Sequence, residues 1–182
     1  MSLYQTRNKC NKTMSIAKKK HSKVEKAVDR LKKILPLEEN RKTLSADLAS
    51  AYQELLRSYV DHGRSMSKAE MTEHVDDVEA AIETFKKHDM VIFDSSGEPT
   101  GAYPFTSEQR DHQVTINGHT VNCMCALDAL SVSPMFNTPT RIESRCSVTS
   151  KPIMIDQTGL EILNDNEAGD IHFGINWNSA NN

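Results

Sequence analysis

Apolar residues in the first ninety positions recur at three- and four-residue steps, which is typical of amphipathic helices. One stripe runs up to Pro36, a residue that ends helices, and comprises Val24, Ala27, Val28, Leu31, Ile34 and Leu35. A second stripe ends at Gly63 and comprises Leu44, Leu48, Tyr52, Leu55, Leu56 and Val60. Ser67 and Glu70 have the capping-box spacing of a short helix. A further helix is predicted from Val75, Val78, Ile82 and Phe85.

The segment after these helices predicts a β-ribbon. "MVIF" and "GAYPFT" read as two short strands around the turn "DSSGEP". Helices followed by a ribbon are the order of a winged-helix module. The helix that would contact DNA presents acidic side chains along most of its exposed face, namely Asp76, Asp77, Glu79 and Glu83, and its basic residues Lys86 and Lys87 come only at its end. Because these carboxylates would repel phosphates, we expect a structural or protein-contacting role, and nucleic acid as a partner is disfavoured.

Beyond Phe105 the pattern changes to short strands. "HQVTI" and "HTVNCM" flank Asn117-Gly118, a favoured type I′ hairpin turn. More strands are predicted at "TRIESRCSV", "PIMI" and "DIHFGINW", and a helix from about Cys125 to Pro134. We therefore predict an α+β chain, with an N-terminal helical winged-helix-like module and a small mixed β-sheet domain with a short helix. The predicted divisions are a basic leader (1–22), the helical module (23–105) and the sheet domain (106–182).

Composition narrows the class of protein. Of the 182 residues, 26% are charged and 37% hydrophobic, which is typical of a globular protein. No apolar run approaches the roughly 18 residues of a membrane span, and the N-terminus lacks the apolar stretch of a secretory signal. Four cysteines without a regular framework favour a reducing compartment. We therefore expect a cytoplasmic protein with no membrane partner. The first 33 residues are strongly basic, opposed only by Glu25 and Asp29. We interpret them as a solvated leader that runs into a basic helix, and a nucleic-acid-binding arm is the alternative.

The stretch "INGHTVNCMCALDALSV" carries the candidate chemistry. Cys123 and Cys125 lie two apart, and so share a face of an extended strand. Cys125 and Asp128 lie three apart, and so share a face of a helix. A cysteine in a first helical turn is expected to have a lowered pKa, because the free N–H groups favour its thiolate. Thiolates bind soft ions such as mercury, copper(I) or zinc, and a carboxylic acid can pass a proton to a metal-bound group.

Other interpretations of these residues remain open. A cysteine protease would need a histidine base, for which His119 or His172 is available. A structural zinc site could combine Cys123, Cys125 and Cys146 with one of these histidines. Alternatively, Cys146 fills the core within a strand, and Asp128 is a plain surface residue.

The chain resembles the organomercurial (alkylmercury) lyase family in "CALDAL", "SRCSVTSKPI" and "DIHFGINW", and in the helical segment leading into "GAYPFT". The resemblance implies a helical module packed on a mixed sheet domain. It also implies an enzyme that cleaves the carbon–mercury bond of R–Hg⁺ by protonolysis, giving a hydrocarbon and Hg(II). Cys125 would bind mercury as a thiolate, Asp128 would shuttle the proton to carbon, and Cys146 would be structural. The implied partners are the organomercurial substrate and low-molecular-weight thiols that accept the product, without an organic cofactor.

The sequence departs from the family at one site position. The second mercury-binding cysteine of the family would fall at Ala168 or Gly169. Either Cys123 replaces it, or a second thiol lies in sequence absent from this chain, or the chemistry has drifted. We expect Cys125 and Cys123 as metal ligands and Cys125 and Asp128 as catalytic residues. The alternative functions are a winged-helix regulator that senses soft metals or thiols, and a degenerate relative that binds mercury without turnover.

Overall fold

The computed structural model describes residues 25–164 together with Ile171 and Gly174. The fold is α+β, as predicted. The helices of this part are α1 (25–34), α2 (Leu37–Lys42), α3 (Ala46–His62), α4 (Lys68–Met71), α5 (Val78–Lys87) and α6 (Ala126–Phe136). Its strands are β1 (Val91–Phe93), β2 (Pro99–Ala102), β3 (Phe105–Thr106), β4 (Gln113–Ile116), β5 (His119–Cys123), β6 (Thr140–Arg145), β7 (Pro152–Thr158) and β8 (Glu161–Ile162). None of these helices combines the length and apolar character needed to span a membrane.

In the N-terminal half, the predicted helices with clear capping residues in the sequence are confirmed. Helix α3 starts at Ser45, whose side chain accepts a hydrogen bond from the Leu48 N–H, and ends at Gly63 in a left-handed conformation. Ser67 and Glu70 form the predicted capping box. Helix α2 was not predicted. It has no buried residue, and therefore shows no apolar stripe that the sequence pattern could reveal.

The described strands form one eight-stranded sheet in the order β1-β2-β3-β5-β4-β6-β7-β8. Every pairing between these strands is antiparallel, so for the described residues the prediction of a mixed sheet was wrong. The β1–β2 ribbon belongs to this sheet, and the predicted division after residue 105 falls inside β3. The winged-helix arrangement stays a prediction. The Asn117-Gly118 hairpin is confirmed, with both residues at positive φ. "DIHFGINW" lies largely outside the described residues.

Phe105 connects the helices to the sheet near the candidate site. Its ring stacks on Tyr59 of α3 at 4.9 Å between centroids, and it contacts Phe136 of α6 at 5.9 Å. In the sheet, Phe105 of β3 pairs with Cys123 of β5. Burial of these aromatic rings therefore fixes the end of β5 relative to α3 and α6.

Helix α6 continues past Pro134, where the sequence predicted its end. Proline has no N–H, so the Leu130 carbonyl lacks its regular helical donor. The side chain of Gln157 in β7 supplies a substitute, because its Nε2 donates to the Leu130 oxygen at 3.0 Å. The helix ends at Asn137, which adopts a left-handed conformation. A partner from a distant strand thus compensates for the local helix-breaking signal.

We expect Gln157→Ala to destabilise the fold. Gln157 is 4% exposed, and its Nε2 also donates to the Gly159 oxygen at 2.7 Å. Truncation would leave two partly buried carbonyls without this donor, at a cost of about 1–3 kcal/mol in the free energy of unfolding. Urea denaturation measures the change, with the exposed Gln109→Ala as the control. Equal unfolding midpoints for the two variants would show that the bond to Leu130 contributes nothing.

Candidate active site

Cys125 lies at the junction between strand β5 and helix α6. It is the N-cap residue of α6, with extended backbone, and its side chain is half-buried. The junction is held in place by the Met124 N–H, which donates to the Pro104 oxygen at 3.1 Å. On the helix side, the Cys125 carbonyl accepts from the Ala129 N–H at 3.1 Å. The cysteine is therefore presented at the start of a helix, by backbone bonds on both sides.

Cys125 and Asp128 interact directly, as their spacing predicted. Asp128 lies in the first turn of α6 and is half-buried. Its carboxyl interacts with both the thiol and the backbone N–H of Cys125. In return, Cys125 Sγ is approached by the N–H groups of Asp128 and Leu127, although no regular side-chain cap is formed. The structure therefore brings together a thiol, a carboxyl group and the polar start of a helix.

The expected lowering of the Cys125 pKa is wrong. Burial raises the pKa of the thiol to about 11, and the adjacent Asp128 carboxyl adds to the increase. The N–H groups of Asp128 and Leu127 lower the pKa of the thiol, but by less than burial raises it. Burial also raises the pKa of Asp128, against the hydrogen bonds from Cys125. At neutral pH, Cys125 therefore keeps its proton next to a carboxyl group that can accept it.

Cys123 is close to this pair but faces the core. It is the last residue of β5, its side chain is 0% exposed, and it belongs to the hydrophobic core. Burial raises the pKa of its thiol, and the charges of Asp128 and Cys125 increase the effect. In the described part of the chain, no three cysteine, histidine or acidic side chains converge to hold a metal ion. Cys123 as a second metal ligand therefore stays a prediction.

Two site neighbours were missed by the sequence analysis. The charge of His112 acts on Asp128 and lowers its pKa, and its Nδ1 lies 2.7 Å from Ser144 Oγ. Tyr103 is half-buried, and Asp128 and Cys125 contribute to the increase in its pKa, after burial and Asp89. Neither residue carries a spacing signal, because β-strand pairing and the β2–β3 turn bring them in from a distance. His112 is held there by its carbonyl, which accepts from the Cys123 N–H at 2.8 Å.

Of the two histidines proposed as a protease base, the structure describes only His119, which is not among the groups that shift the pKa of Cys125 or Asp128. His119 lies beside Gly63 at the end of α3, so close that a Cβ on Gly63 would be 3.1 Å from its ring nitrogen. His172 lies outside the described residues. The histidine that acts on Asp128 is His112.

Cys146 is not a core residue of a strand, so that interpretation was wrong. It follows the end of β6, and its N–H donates to the Lys151 oxygen at 2.9 Å. Its Sγ accepts from the Thr149 N–H at 3.4 Å. The Thr149 hydroxyl and neighbouring N–H groups lower the pKa of its thiol. Cys146 therefore belongs to the β6–β7 loop.

The three described cysteines should react with iodoacetamide in a fixed order. Cys146 should react first near pH 8, because its lowered pKa gives more thiolate. Cys125 should react more slowly, since its pKa is about 11, and Cys123 only after unfolding, since it is 0% exposed. Peptide mass spectrometry over a time course measures the order. Alkylation of Cys123 in the folded protein at the rate of Cys146 would contradict its burial.

Residues 105–182 match the model of the alkylmercury lyase (MerB) family, which confirms the resemblance for that part of the chain. Among solved structures, the chain is similar to the crystal structure of the mercury-bound form of MerB2. The TM-score is 0.61 and the sequence identity 18%, over 74% of this chain and 66% of that chain. This likeness shows a shared fold. The chain thus spans slightly less than two thirds of that structure. No curated protein matches the sequence significantly.

Proposed function

From the match of residues 105–182 to the alkylmercury lyases, we propose that the protein cleaves the carbon–mercury bond of organomercurials by protonolysis. The products are a hydrocarbon and Hg(II), which low-molecular-weight thiols of the cytoplasm remove. The observation that carries the proposal is the interaction between the Cys125 thiol and the Asp128 carboxyl at the start of α6. No organic cofactor takes part.

Cys125 binds the mercury of the substrate. Mercury is a soft ion, and sulfur is its preferred ligand in proteins. When the S–Hg bond forms, the thiol loses its proton, and Asp128 is the adjacent acceptor. The raised pKa of Asp128 makes its carboxylate a better acceptor than an ordinary one. Binding of mercury thus transfers to Asp128 the proton that is used in the next step.

Asp128 then delivers this proton to the carbon attached to mercury. The electron pair of the C–Hg bond becomes that of the new C–H bond, and mercury stays Hg(II). Asp128 returns to the carboxylate, so the proton lost by Cys125 is the proton gained by the hydrocarbon. Because Cys125 is the N-cap of α6 and Asp128 lies in the first turn of the same helix, the transfer path is set by backbone geometry rather than by a mobile loop.

The experiment measures the methane released from methylmercury in the presence of excess thiol. We expect enzyme-dependent release of methane that carries one deuterium when the reaction is run in D₂O, because the thiol proton exchanges with solvent. Heat-denatured protein is the control. Tight mercury binding without methane would favour the degenerate relative instead. Sequence-specific DNA binding that changes with mercury would favour the regulator.

A further inference from the structure

Within the described part of the chain, the candidate site offers one accessible thiol to mercury. The chain has four cysteines, of which Cys125 alone is both at the site and partly exposed among the described residues. Cys123 is fully buried in the hydrophobic core, opposite Phe105. Cys146 is tied into the β6–β7 loop through Thr149 and Lys151. Cys10 lies outside the described residues.

With a single sulfur ligand, the electron density on mercury is too low for efficient cleavage of the carbon–mercury bond. Each thiolate bound to mercury donates charge to the metal, and the departing carbon takes that charge as it accepts a proton. Turning Cys123 toward mercury would remove an apolar contact from the core and leave a void beside Phe105, which is unfavourable. Free organomercurial cations, in contrast, combine with any available thiolate because both are soft.

We propose that a low-molecular-weight monothiol supplies the second sulfur ligand of the reaction, entering the site already bound to the organomercurial as R–Hg–SR′. The inference rests on the proposed lyase function. It changes the role of the external thiol, which acts in bond cleavage as well as in removal of the product.

The atoms and charges of this reaction balance. Cys125 adds its sulfur to the mercury of R–Hg–SR′, and its proton passes to Asp128. With two sulfurs on mercury, the C–Hg bond breaks and the proton moves from Asp128 to carbon. The sum is R–Hg–SR′ plus Cys125–SH giving R–H plus Cys125–S–Hg–SR′. A second monothiol then gives its proton to Cys125, and its sulfur replaces that of Cys125 on mercury, so that the product leaves as Hg(SR′)₂. Each turnover consumes two monothiols, and mercury remains Hg(II) throughout.

Cys125 is partly exposed and lies beside exposed apolar surface. Leu127, in the first turn of α6, is 41% exposed although it is a large apolar residue. Asp128, which takes the proton, lies next in the chain and is itself half-buried. Solvent-exposed apolar surface beside a thiol suits the organic group and the carbon chain of a small thiol. The same access does not exist for Cys123.

The test counts the sulfur atoms on mercury by X-ray absorption at the mercury edge. The wild-type protein is loaded with one equivalent of methylmercury chloride, with or without one equivalent of 2-mercaptoethanol, and is separated from unbound mercury by gel filtration. We expect one sulfur without the monothiol and two with it. Two sulfurs in its absence would overturn the inference, and Cys123→Ala and Cys10→Ser would then identify the protein donor. The deciding measurement uses the wild-type chain, so it does not depend on whether a core variant folds.

Single-turnover methane release provides the second measurement. With enzyme in excess, the preformed methylmercury–2-mercaptoethanol adduct should release methane at least about tenfold faster than methylmercury chloride. Equal rates from the two substrates would overturn the inference. Absence of methane from both would instead refute the lyase function, while the sulfur count would still decide how mercury is held.

Discussion

Replacing Cys125 by serine is expected to abolish mercury binding at the site and to lower hydrocarbon release by at least about 10⁴-fold. A hydroxyl has the size of a thiol but is a hard ligand that does not hold mercury against competing thiols. It also stays protonated, so Asp128 receives no proton to pass on. Methane release under excess thiol and retention of mercury after gel filtration measure the two losses.

Cys146→Ser is the matched control for this experiment. Cys146 lies in the β6–β7 loop, and its lowered pKa makes it the described thiol with the most thiolate at neutral pH. If reactivity alone selected the ligand, Cys146→Ser would lose the mercury. Because we assign the ligand by its position next to Asp128, retention of mercury and turnover in Cys146→Ser is the expected outcome. Turnover that survives in Cys125→Ser would refute the assignment.

Replacing Asp128 by asparagine is expected to separate binding from cleavage. The amide keeps the size of the carboxyl but neither accepts the thiol proton nor donates one to carbon. We expect mercury to remain bound through Cys125, while the rate of protonolysis falls by about 10²–10⁴-fold, the usual contribution of a positioned acid or base. The methane released in a quenched single-turnover reaction gives the rate of the chemical step. The amount of mercury retained per protein molecule measures binding. Asp76→Asn, on the exposed surface before α5, is the control.

The pH dependence of mercury uptake gives a further readout of Asp128. The carboxylate must be ionised to take the proton from Cys125, and burial raises its pKa. Rapid uptake in the wild-type protein should therefore be lost as pH falls through that raised pKa, at higher pH than for an ordinary aspartate. The Asp128→Asn variant should lack this step. A profile that is identical in both proteins would exclude Asp128 as the acceptor.

The sequence by itself determined the features whose causes are local. The period of apolar residues and Gly63 defined α3, Ser67 and Glu70 defined the start of α4, and Asn117-Gly118 defined the hairpin. The pairing of Cys125 with Asp128 follows from helical geometry within one turn, so the spacing sufficed to predict it. None of these features requires a contact between distant parts of the chain.

The tertiary structure decided the features that depend on distant partners. Helix α6 passes Pro134 because Gln157, 27 positions after Leu130, donates to the carbonyl that proline leaves free. His112 precedes β4, and the pairing of β4 with β5, together with the bond from the Cys123 N–H to the His112 carbonyl, places it where it acts on Asp128 in α6. The Cys125 pKa is high rather than low because packing removes solvent from the thiol, and this effect exceeds that of the helix N–H groups. Whether Cys123 faces mercury or the core is likewise set by Phe105 on a neighbouring strand, which no spacing along the sequence encodes.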